Sequence, residues 1–209
     1  MSRYFKNSYS QILKEAASSS PTPGGGNVSA MVGCLGNAMV SMVANLTTGK
    51  EKYAQYQEQL DILLGKSQDI MERLEELCYE DMKVFDKFMA AIKMPKESDE
   101  EKAARSAAME AASITATNVP MAIAETCVEA VLLAEDLAPY GNKGAISDVG
   151  VGAYIAEAAM HGALLSAEIN LGGIKDQEYV SKAREKMAAL IKTAAESRSR
   201  SVAQVRERM

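Results

Sequence analysis

Aromatic side chains are scarce in this sequence, and tryptophan is absent. Aromatic residues make up 5% of the 209 residues, whereas hydrophobic residues of all kinds make up 47% and methionine alone occurs 13 times. A composition rich in alanine and methionine and poor in rings is typical of close-packed helices rather than sheets, and this hydrophobic content excludes a disordered chain. The length suits one well-buried domain, so we predict a single domain over residues 1–209.

Histidine and cysteine are also few. One histidine, His161, is too few for a His-rich zinc or di-iron site inside a helical bundle, so we expect no metal cofactor and a helix-surface position for His161. The three cysteines, Cys34, Cys78 and Cys127, are odd in number and far apart, which favours reduced thiols in the cytoplasm over a disulfide framework. Residues 1–14 carry charges throughout and have no apolar core, so we expect no signal peptide there.

An excess of positive charge is lacking as well. The net charge is −5 and the pI about 5.1, which argues against nucleic acid as a partner. An anionic substrate would need local basic residues or helix N-termini. One apolar run, 27–48, is long enough to raise the question of a membrane span, but Asn37, Ser41 and Asn45 interrupt it at helical spacing, so we expect no membrane partner.

Strand-like alternation is not found along the chain, and nearly every segment has helical periodicity. Helices are predicted over 4–17, 27–48, 52–92, 98–118, 120–137, 148–170 and 176–209, with Ser98 and Glu101 as a capping box, Pro120 as a kink or a new start, and Ser147 and Asp176 as caps. The predicted fold is all-α, an antiparallel bundle of long helices. The long third helix and several small or apolar faces favour a homodimer.

Two glycine-containing helix starts stand out. The run Pro21-Thr22-Pro23-Gly24-Gly25-Gly26 precedes the predicted start at Asn27, and glycine lets a ligand approach the backbone, whose free N–H groups at a helix start can bind an anion or a carbonyl oxygen. A tight connection between two helices is the simpler interpretation. At the other start, Ser147 and Asp148 are followed by Gly150, which weakens the helix and indicates a close approach there. Helix capping also explains Asp148.

Several polar residues outside these starts are candidates for chemistry. Asp81 lies mid-helix among Tyr79, Phe85 and Phe88, where a solvated or paired carboxylate is the alternative. Lys50 follows the second helix, where a cation also stabilises a helix C-terminus. Tyr53 follows Lys50 closely, and Asn142 and Lys143 belong to a loop predicted by its turn residues.

Taken together, these segments resemble the cyclodeaminase/cyclohydrolase family. The resemblance is carried by 21–26, Gly33-Cys34-Leu35-Gly36, Leu46-Thr47-Thr48-Gly49-Lys50-Glu51-Lys52-Tyr53, Ser147-Asp148-Val149-Gly150-Val151-Gly152-Ala153, 156–159 and 169–171. It covers essentially the whole chain. Asn27 departs from the serine that the family usually has after the glycines, although asparagine can also cap a helix.

The resemblance implies an all-helical dimer with a folate site in a cleft near the subunit interface and no metal or redox cofactor. The substrate would be a tetrahydrofolate derivative, with or without a polyglutamate tail. The reaction would be hydrolysis of 5,10-methenyltetrahydrofolate to 10-formyltetrahydrofolate, which a stand-alone chain of this length favours. The alternatives are formiminotetrahydrofolate cyclodeaminase, which releases ammonia, and a non-enzymatic helical interaction module.

Either reaction passes through a tetrahedral carbon between two nitrogens, so the same acid–base groups can serve both. With one histidine and no metal expected, carboxylates and Lys or Tyr must move the protons. Asp148 is the leading candidate, as acid–base or pterin-orienting group, with Asp81 and Lys50 as further catalytic candidates. The two helix starts are predicted to form one folate cleft, with Lys50 or Lys143 meeting the folate carboxylates. The substrate-binding residues would be Thr22, Pro23, Gly24, Gly25, Gly26, Asn27, Tyr53, Asn142, Lys143, Ser147 and Gly150.

Overall fold

Seven helices make up the fold in the computed structural model, which describes residues 3–209. They are α1 (Arg3–Lys6), α2 (Tyr9–Ala16), α3 (Gly25–Asn45), α4 (Gln57–Ile92), α5 (Asp99–Leu137), α6 (Ile146–Glu168) and α7 (Gln177–Arg208), and three short 3-10 turns lie at Glu51–Tyr56, Lys143–Ala145 and Leu171–Gly173. No strand occurs among the residues described. The predicted all-α bundle of long helices is confirmed.

The bundle core lies between α3, α4, α5 and α6, and α7 packs across α5 and α6. Its largest fully buried side chains include Leu60, Leu74, Ile123, Leu137 and Met160. Burying such side chains is the main stabilising contribution of a helical bundle, at about 1.5–3 kcal/mol for each large aliphatic side chain. The four long central helices therefore form a frame that can hold a site at either end.

Helices α3 and α6 are antiparallel neighbours at very short range. A Cβ added to Gly36 would lie 2.9 Å from the backbone N of Ala156, and one added to Gly152 would lie 2.7 Å from the carbonyl oxygen of Gly36. These glycines are therefore needed for the close approach of two helices. The start of α3 consequently lies beside the end of α6, and the start of α6 lies beside the end of α3.

Helix starts differ from the prediction where a nearby side chain competes for the backbone. The predicted helix 4–17 is divided, because the Ser8 hydroxyl accepts the N–H of Gln11 at 3.2 Å and starts α2 anew. Helix α3 begins at Gly25, earlier than predicted, with Gly24 as its N-cap.

Helix α6 begins at Ile146, so Ser147 lies in its first turn and the prediction that it caps the helix was wrong. Two other predicted caps are confirmed, Ser98 at α5 and Asp176 at α7. Pro120 lies inside the continuous helix α5 and does not start a new one.

Two helices, α3 and α5, are long and apolar enough to cross a membrane, but 56% and 61% of their most apolar windows are buried inside the bundle. The polar stripe predicted on α3 begins with Asn37, which is fully buried. Its amide donates to the carbonyl oxygen and the hydroxyl of Ser67 at 2.8 and 3.0 Å, so this part of the stripe faces α4. Both helices therefore have the burial of core helices of a bundle.

Candidate functional site

A groove of about 270 Å³ lies at one end of the bundle, where α3 begins. We call it the Asp81 groove. Its lining comes from the start of α3, the second half of α4, the middle of α5 and the end of α6, and consists of Gly24, Gly25, Gly26, Asp81, Val84, Phe85, Phe88, Ala116, Pro120, Ser166, Ile169 and Asn170. Four elements thus meet around a single carboxylate.

Asn27 fixes the start of α3 against α4. It is 1% exposed, its side-chain oxygen accepts the N–H of Gly24 at 2.9 Å, and its amide donates to the carbonyl oxygen of Cys78 at 2.8 Å. Asn27 is therefore the third residue of the helix rather than its N-cap. Because both ends of its side chain are already bonded within the protein, it positions the groove.

Asp81 follows Cys78 by one turn of α4, which brings its carboxylate to the first turn of α3. A Cβ added to Gly26 would lie 2.7 Å from each carboxylate oxygen, so only glycine allows this approach. Burial raises the pKa of Asp81 to about 6, although the hydrogen bond from the backbone N–H of Asn27 acts in the opposite direction. The carboxyl is thus ionised for the most part at neutral pH and can still be protonated, as an acid–base group requires.

The walls around Asp81 are mainly apolar. Phe85 and Phe88 continue the Asp81 face of α4, and Pro120 faces them from α5. At the α6 end, the amide of Asn170 donates to the carbonyl oxygens of Ala116 at 3.0 Å and Ser166 at 2.8 Å, which joins α6 to α5. The groove can therefore enclose flat rings next to one acid–base group.

The other predicted site residues lie at the opposite end of the bundle. The Tyr53 hydroxyl accepts the backbone N–H of Lys143 at 3.2 Å, and this bond, with the charge of Lys52 nearby, lowers the pKa of Tyr53. The Asn142 amide donates to the carbonyl oxygen of Leu46 at 2.7 Å. Lys50 and Lys143 are exposed. These contacts join the end of α3 to the loop before α6.

Asp148 and Gly150 also belong to this second group. Asp148 is half-buried in the first turn of α6, beside the exposed Ser147. Gly150 is buried, and a Cβ there would lie 3.5 Å from Val205 of α7. This is an ordinary contact distance, so packing does not require glycine here, and the buried position has no opening toward a ligand within one chain.

The two groups are separated by the length of α3. Its 21 residues span about 30 Å at the rise of an α-helix. Within one chain the two helix starts do not form a single cleft, because antiparallel neighbours place their starts at opposite ends. That they form one folate cleft near the subunit interface stays a prediction. Of the predicted residues, the structure brings together Gly24, Gly25, Gly26, Asn27 and Asp81.

Thr22 and Pro23 precede the groove without lining it. Pro23 is buried after a cis peptide bond, and Thr22 is half-buried. Sequence reasoning placed none of Phe85, Phe88, Pro120, Ser166 and Asn170 in the site. The i, i+4, i+7 spacing of Asp81, Phe85 and Phe88 on one helix face, and the family motif 169–171, could have indicated part of this set.

The cysteines and His161 lie away from the groove lining. All three cysteines are free and buried, and burial raises the pKa of Cys34 and of Cys127 to about 12, so these two thiols are poor nucleophiles. His161 is exposed on α6, as predicted. Over residues 3–209, no group of three or more His, Cys, Asp or Glu side chains is arranged to hold a metal; that no metal is needed stays a prediction.

The fold and the groove define an all-α protein with a carboxylate of raised pKa among rings at one end of a bundle. The formiminotransferase-cyclodeaminase family model matches residues 8–189, and the chain belongs to this family. The resemblance stated from the sequence is thus confirmed.

Several relatives can be aligned with most of the chain. It is 41% identical over 180 residues to a methenyltetrahydrofolate cyclohydrolase from Methylorubrum extorquens, with 86% of each chain covered. It is 31% identical over 183 residues to the formimidoyltransferase-cyclodeaminase of Rattus norvegicus, and the aligned region covers 88% of this chain and 34% of that relative. A solved formiminotetrahydrofolate cyclodeaminase from Thermotoga maritima has a TM-score of 0.88 at 25% identity, with 98% of both chains covered.

Proposed function

We propose that this protein hydrolyses 5,10-methenyltetrahydrofolate to 10-formyltetrahydrofolate. The observation that carries the proposal is the Asp81 carboxylate, held at the start of α3 in a groove of glycines and rings. The cyclohydrolase from Methylorubrum extorquens supports the choice of reaction, since it is similar over 86% of its own length. The relatives named above are enzymes, so the non-enzymatic alternative has no observation in its favour.

The substrate's charge suits this groove. The methenyl carbon bridges N5 and N10 and shares a positive charge with them. Asp81 is the only charged residue of the groove lining, and an ionised carboxylate in a partly dehydrated site attracts such a cation strongly. Phe85, Phe88 and Pro120 offer apolar surface to the flat rings on either side of the bridge.

Asp81 would act first as base and then as acid. The oxygen of a water molecule attacks the methenyl carbon while Asp81 takes one of its protons. The C–N5 bond then breaks, N5 keeps the electron pair and receives the proton from Asp81, and the hydroxyl proton leaves as the formyl group forms on N10. The sum is one cation and one water converted to neutral product and one proton, and Asp81 ends as it began.

The cyclodeaminase reaction is the second candidate, because the solved cyclodeaminase matches 98% of this chain in structure. There N10 attacks the 5-formimino carbon and ammonia leaves, so a proton moves from N10 to the leaving nitrogen. The purified protein should be given each substrate while the methenyl absorbance is followed. Loss of absorbance with methenyltetrahydrofolate supports the hydrolase, and a gain with ammonia release from formiminotetrahydrofolate supports the deaminase.

Asp81 and Asp148 can be separated by substitution. If Asp81 transfers the proton in a site built from one chain, Asp81→Asn lowers kcat about 100-fold or more, whereas Asp148→Asn at the other end keeps kcat near that of the wild type. A large loss in both variants would mean that Asp148 reaches the Asp81 groove from a second copy. Circular dichroism would check that both variants are folded. The reverse result, a large loss only in Asp148→Asn, would transfer the role to Asp148.

We also propose that the protein works in the cytoplasm, without a cofactor, as a homodimer formed through α3 and α6. Helix α3 has no charged residue in its 21 positions. Val28 and Leu35 on α3, with Val151, Tyr154 and Leu165 on α6, are nevertheless exposed. Exposed apolar residues on two adjacent helices mark an interface, and a second copy is the partner that offers the same surface. The residues around Lys50, Tyr53 and Asp148 could meet the Asp81 groove only across such an interface.

A further inference from the structure

A second groove lies at the same end of the bundle as Asp81 and has the opposite charge. It has a volume of about 370 Å³ and is lined by Lys96, Lys102, Arg105, Ser106, Met109, Gly173 and Lys175. We call it the basic groove. Its lining contains four cationic side chains and no carboxylate, although the chain as a whole has a net charge of −5.

Three carboxylates near the basic groove form bonds within the chain. Glu101 accepts the backbone N–H groups of Glu97 and Ser98 at 2.8 and 3.1 Å. Glu110 accepts those of Lys175 and Asp176 at 2.8 and 3.3 Å. Asp99 pairs with Lys102 at 2.9 Å. Among residues 3–209, Lys102 is thus the only cation of the basic groove that forms an ion pair, and Lys96, Arg105 and Lys175 are left to bind a ligand.

Arg105 and Lys96 are the best placed of these cations. Arg105 donates through Nε to the carbonyl oxygen of Ile92 at 3.2 Å, which holds its guanidinium at the end of α4. Its terminal nitrogens and the ammonium of Lys96 have no acidic partner among residues 3–209. Lys175 donates to the Ser106 hydroxyl at 2.7 Å. A guanidinium held in this way can bind a carboxylate through two parallel hydrogen bonds.

The two grooves lie along the same pair of antiparallel helices. Asp81 and Ala116 face each other in the Asp81 groove, whereas Ile92 and Arg105 meet at the basic groove. Asp81 and Ile92 are eleven residues apart on α4, as Arg105 and Ala116 are on α5, and eleven residues of helix span about 16 Å. Phe85 and Phe88 lie between them on α4. From the Asp81 groove to the basic groove, the side chains along these helices are therefore first a carboxylate, then aromatic rings, then cations.

We propose that the basic groove binds the terminal carboxylates of the substrate whose one-carbon unit reacts at Asp81. This assignment rests on the proposed function, since it takes a folate as the ligand: rings at one end and one or more glutamates at the other. It also replaces the expectation that Lys50 or Lys143 meets these carboxylates within one chain, because both lie at the far end of α3. Longer glutamate tails reach more of the cations and bind more tightly.

The test is the double variant Lys96→Ala/Arg105→Ala, with Lys192→Ala as the control because it removes an exposed cation from α7. KM is measured with 5,10-methenyltetrahydrofolate that bears one or three γ-linked glutamates. The double variant should raise KM about 2- to 5-fold for each cation removed, with kcat unchanged, and should lose most of the wild type's preference for three glutamates. The control should match the wild type.

An unchanged KM for both substrates would overturn the assignment, and so would a fall in kcat alone. Affinity for 10-formyltetrahydrofolate, measured by calorimetry with the same glutamate lengths, gives the comparison without turnover. The wild type could bind this ligand more tightly than the double variant and yet leave methenyltetrahydrofolate intact. That result would contradict the proposed reaction but support the assignment of the basic groove. Equal affinity of the wild type and the double variant would reject the basic groove whatever the reaction.

Discussion

At the scale of single residues, Asp81 combines a stability cost with a chemical use. Water would solvate its carboxylate freely in the unfolded chain, whereas the groove removes much of that water and returns one backbone N–H from Asn27. The pKa therefore rises from 3.8 to about 6. A carboxylate with this pKa is a stronger base toward the attacking water, and a larger fraction of it is protonated near neutral pH. The folded state is less stable, because ionising the carboxyl costs more there than in the unfolded chain.

This cost has a definite pH range. Since the pKa of Asp81 is higher in the folded than in the unfolded state, the penalty is absent below about pH 4, develops between about pH 4 and pH 6, and is constant above. Asp81→Asn should therefore raise the free energy of unfolding at pH 8 by up to about 3 kcal/mol, less the part that solvent screening removes. Urea denaturation at pH 8 and pH 4 measures it.

The gain should be much smaller at pH 4, where the wild-type carboxyl is neutral in both states. Glu58→Gln, on the exposed part of α4, is a suitable control and should change stability little at either pH. A variant that is destabilised at pH 8 would mean that the bond from Asn27 outweighs the loss of water.

At the scale of helices, the site depends on how closely α3 approaches α4. Gly26 provides the space for the Asp81 carboxylate, and Asn27 ties the first turn of α3 to Cys78. The sequence singled out the glycine run for its backbone freedom. In the structure, glycine is needed at position 26 because the Asp81 side chain of another helix occupies the space that a Cβ would fill. No pattern within 21–30 specifies that Asp81 is this neighbour.

Gly26→Ala should therefore damage activity more than stability. The new methyl group would displace the Asp81 carboxylate, which it would otherwise approach to 2.7 Å, so we expect kcat to fall at least 10-fold, as misplacement of a reacting group by about 1 Å does. The melting temperature should change by only a few degrees, because the carboxylate can move toward the opening of the groove. Steady-state kinetics and thermal unfolding give the two readouts.

Gly65→Ala is the matched control for that change. Gly65 lies in α4, and a Cβ there meets no atom within 4 Å. Alanine should stabilise this helix by up to about 1 kcal/mol relative to glycine and leave kcat unaltered. If Gly26→Ala keeps wild-type kcat, the carboxylate does not need its present position.

At the scale of the whole molecule, the bundle places its two groups of polar residues about 30 Å apart. The Asp81 groove and the basic groove share one end, whereas Lys50, Tyr53, Asn142, Lys143 and Asp148 share the other. Between the ends, the uncharged surface of α3 and the exposed side of α6 remain without a cover within one chain. A second copy seated on this surface would decide whether the distant group takes part in the reaction.

Leu35→Glu tests that surface. Leu35 is 54% exposed on α3, so the substitution should not unfold the single chain, but a buried, unpaired carboxylate would oppose dimer formation. Size-exclusion chromatography with light scattering should then report the monomer mass. Ile62→Glu is the control, since Ile62 on α4 is 55% exposed away from α3 and α6 and should leave the mass unchanged. Equal masses for wild type and Leu35→Glu would reject this interface.

The helical fold, the approximate positions of the long helices and the family could all be predicted from the sequence. Helical periodicity, the Ser98 and Asp176 caps and the absence of strand alternation are local properties, set by neighbours within a few residues, and such properties can be inferred from a single chain. The glycine motifs also identified both helix starts as unusual.

Which of these residues lie together depends on the packing of the bundle and could not be inferred from local patterns. Asn27 meets Cys78 across 51 residues of sequence, and Arg105 meets Ile92 across the loop that joins α4 to α5. Such pairings follow from the direction in which α3 packs on α6 and α4 on α5. That direction cannot be predicted from the apolar pattern, because parallel and antiparallel neighbours have the same pattern in sequence. For that reason Asp81 could be named from the sequence as a candidate, while its partners, its raised pKa and the cations of the basic groove came from the packing of the bundle.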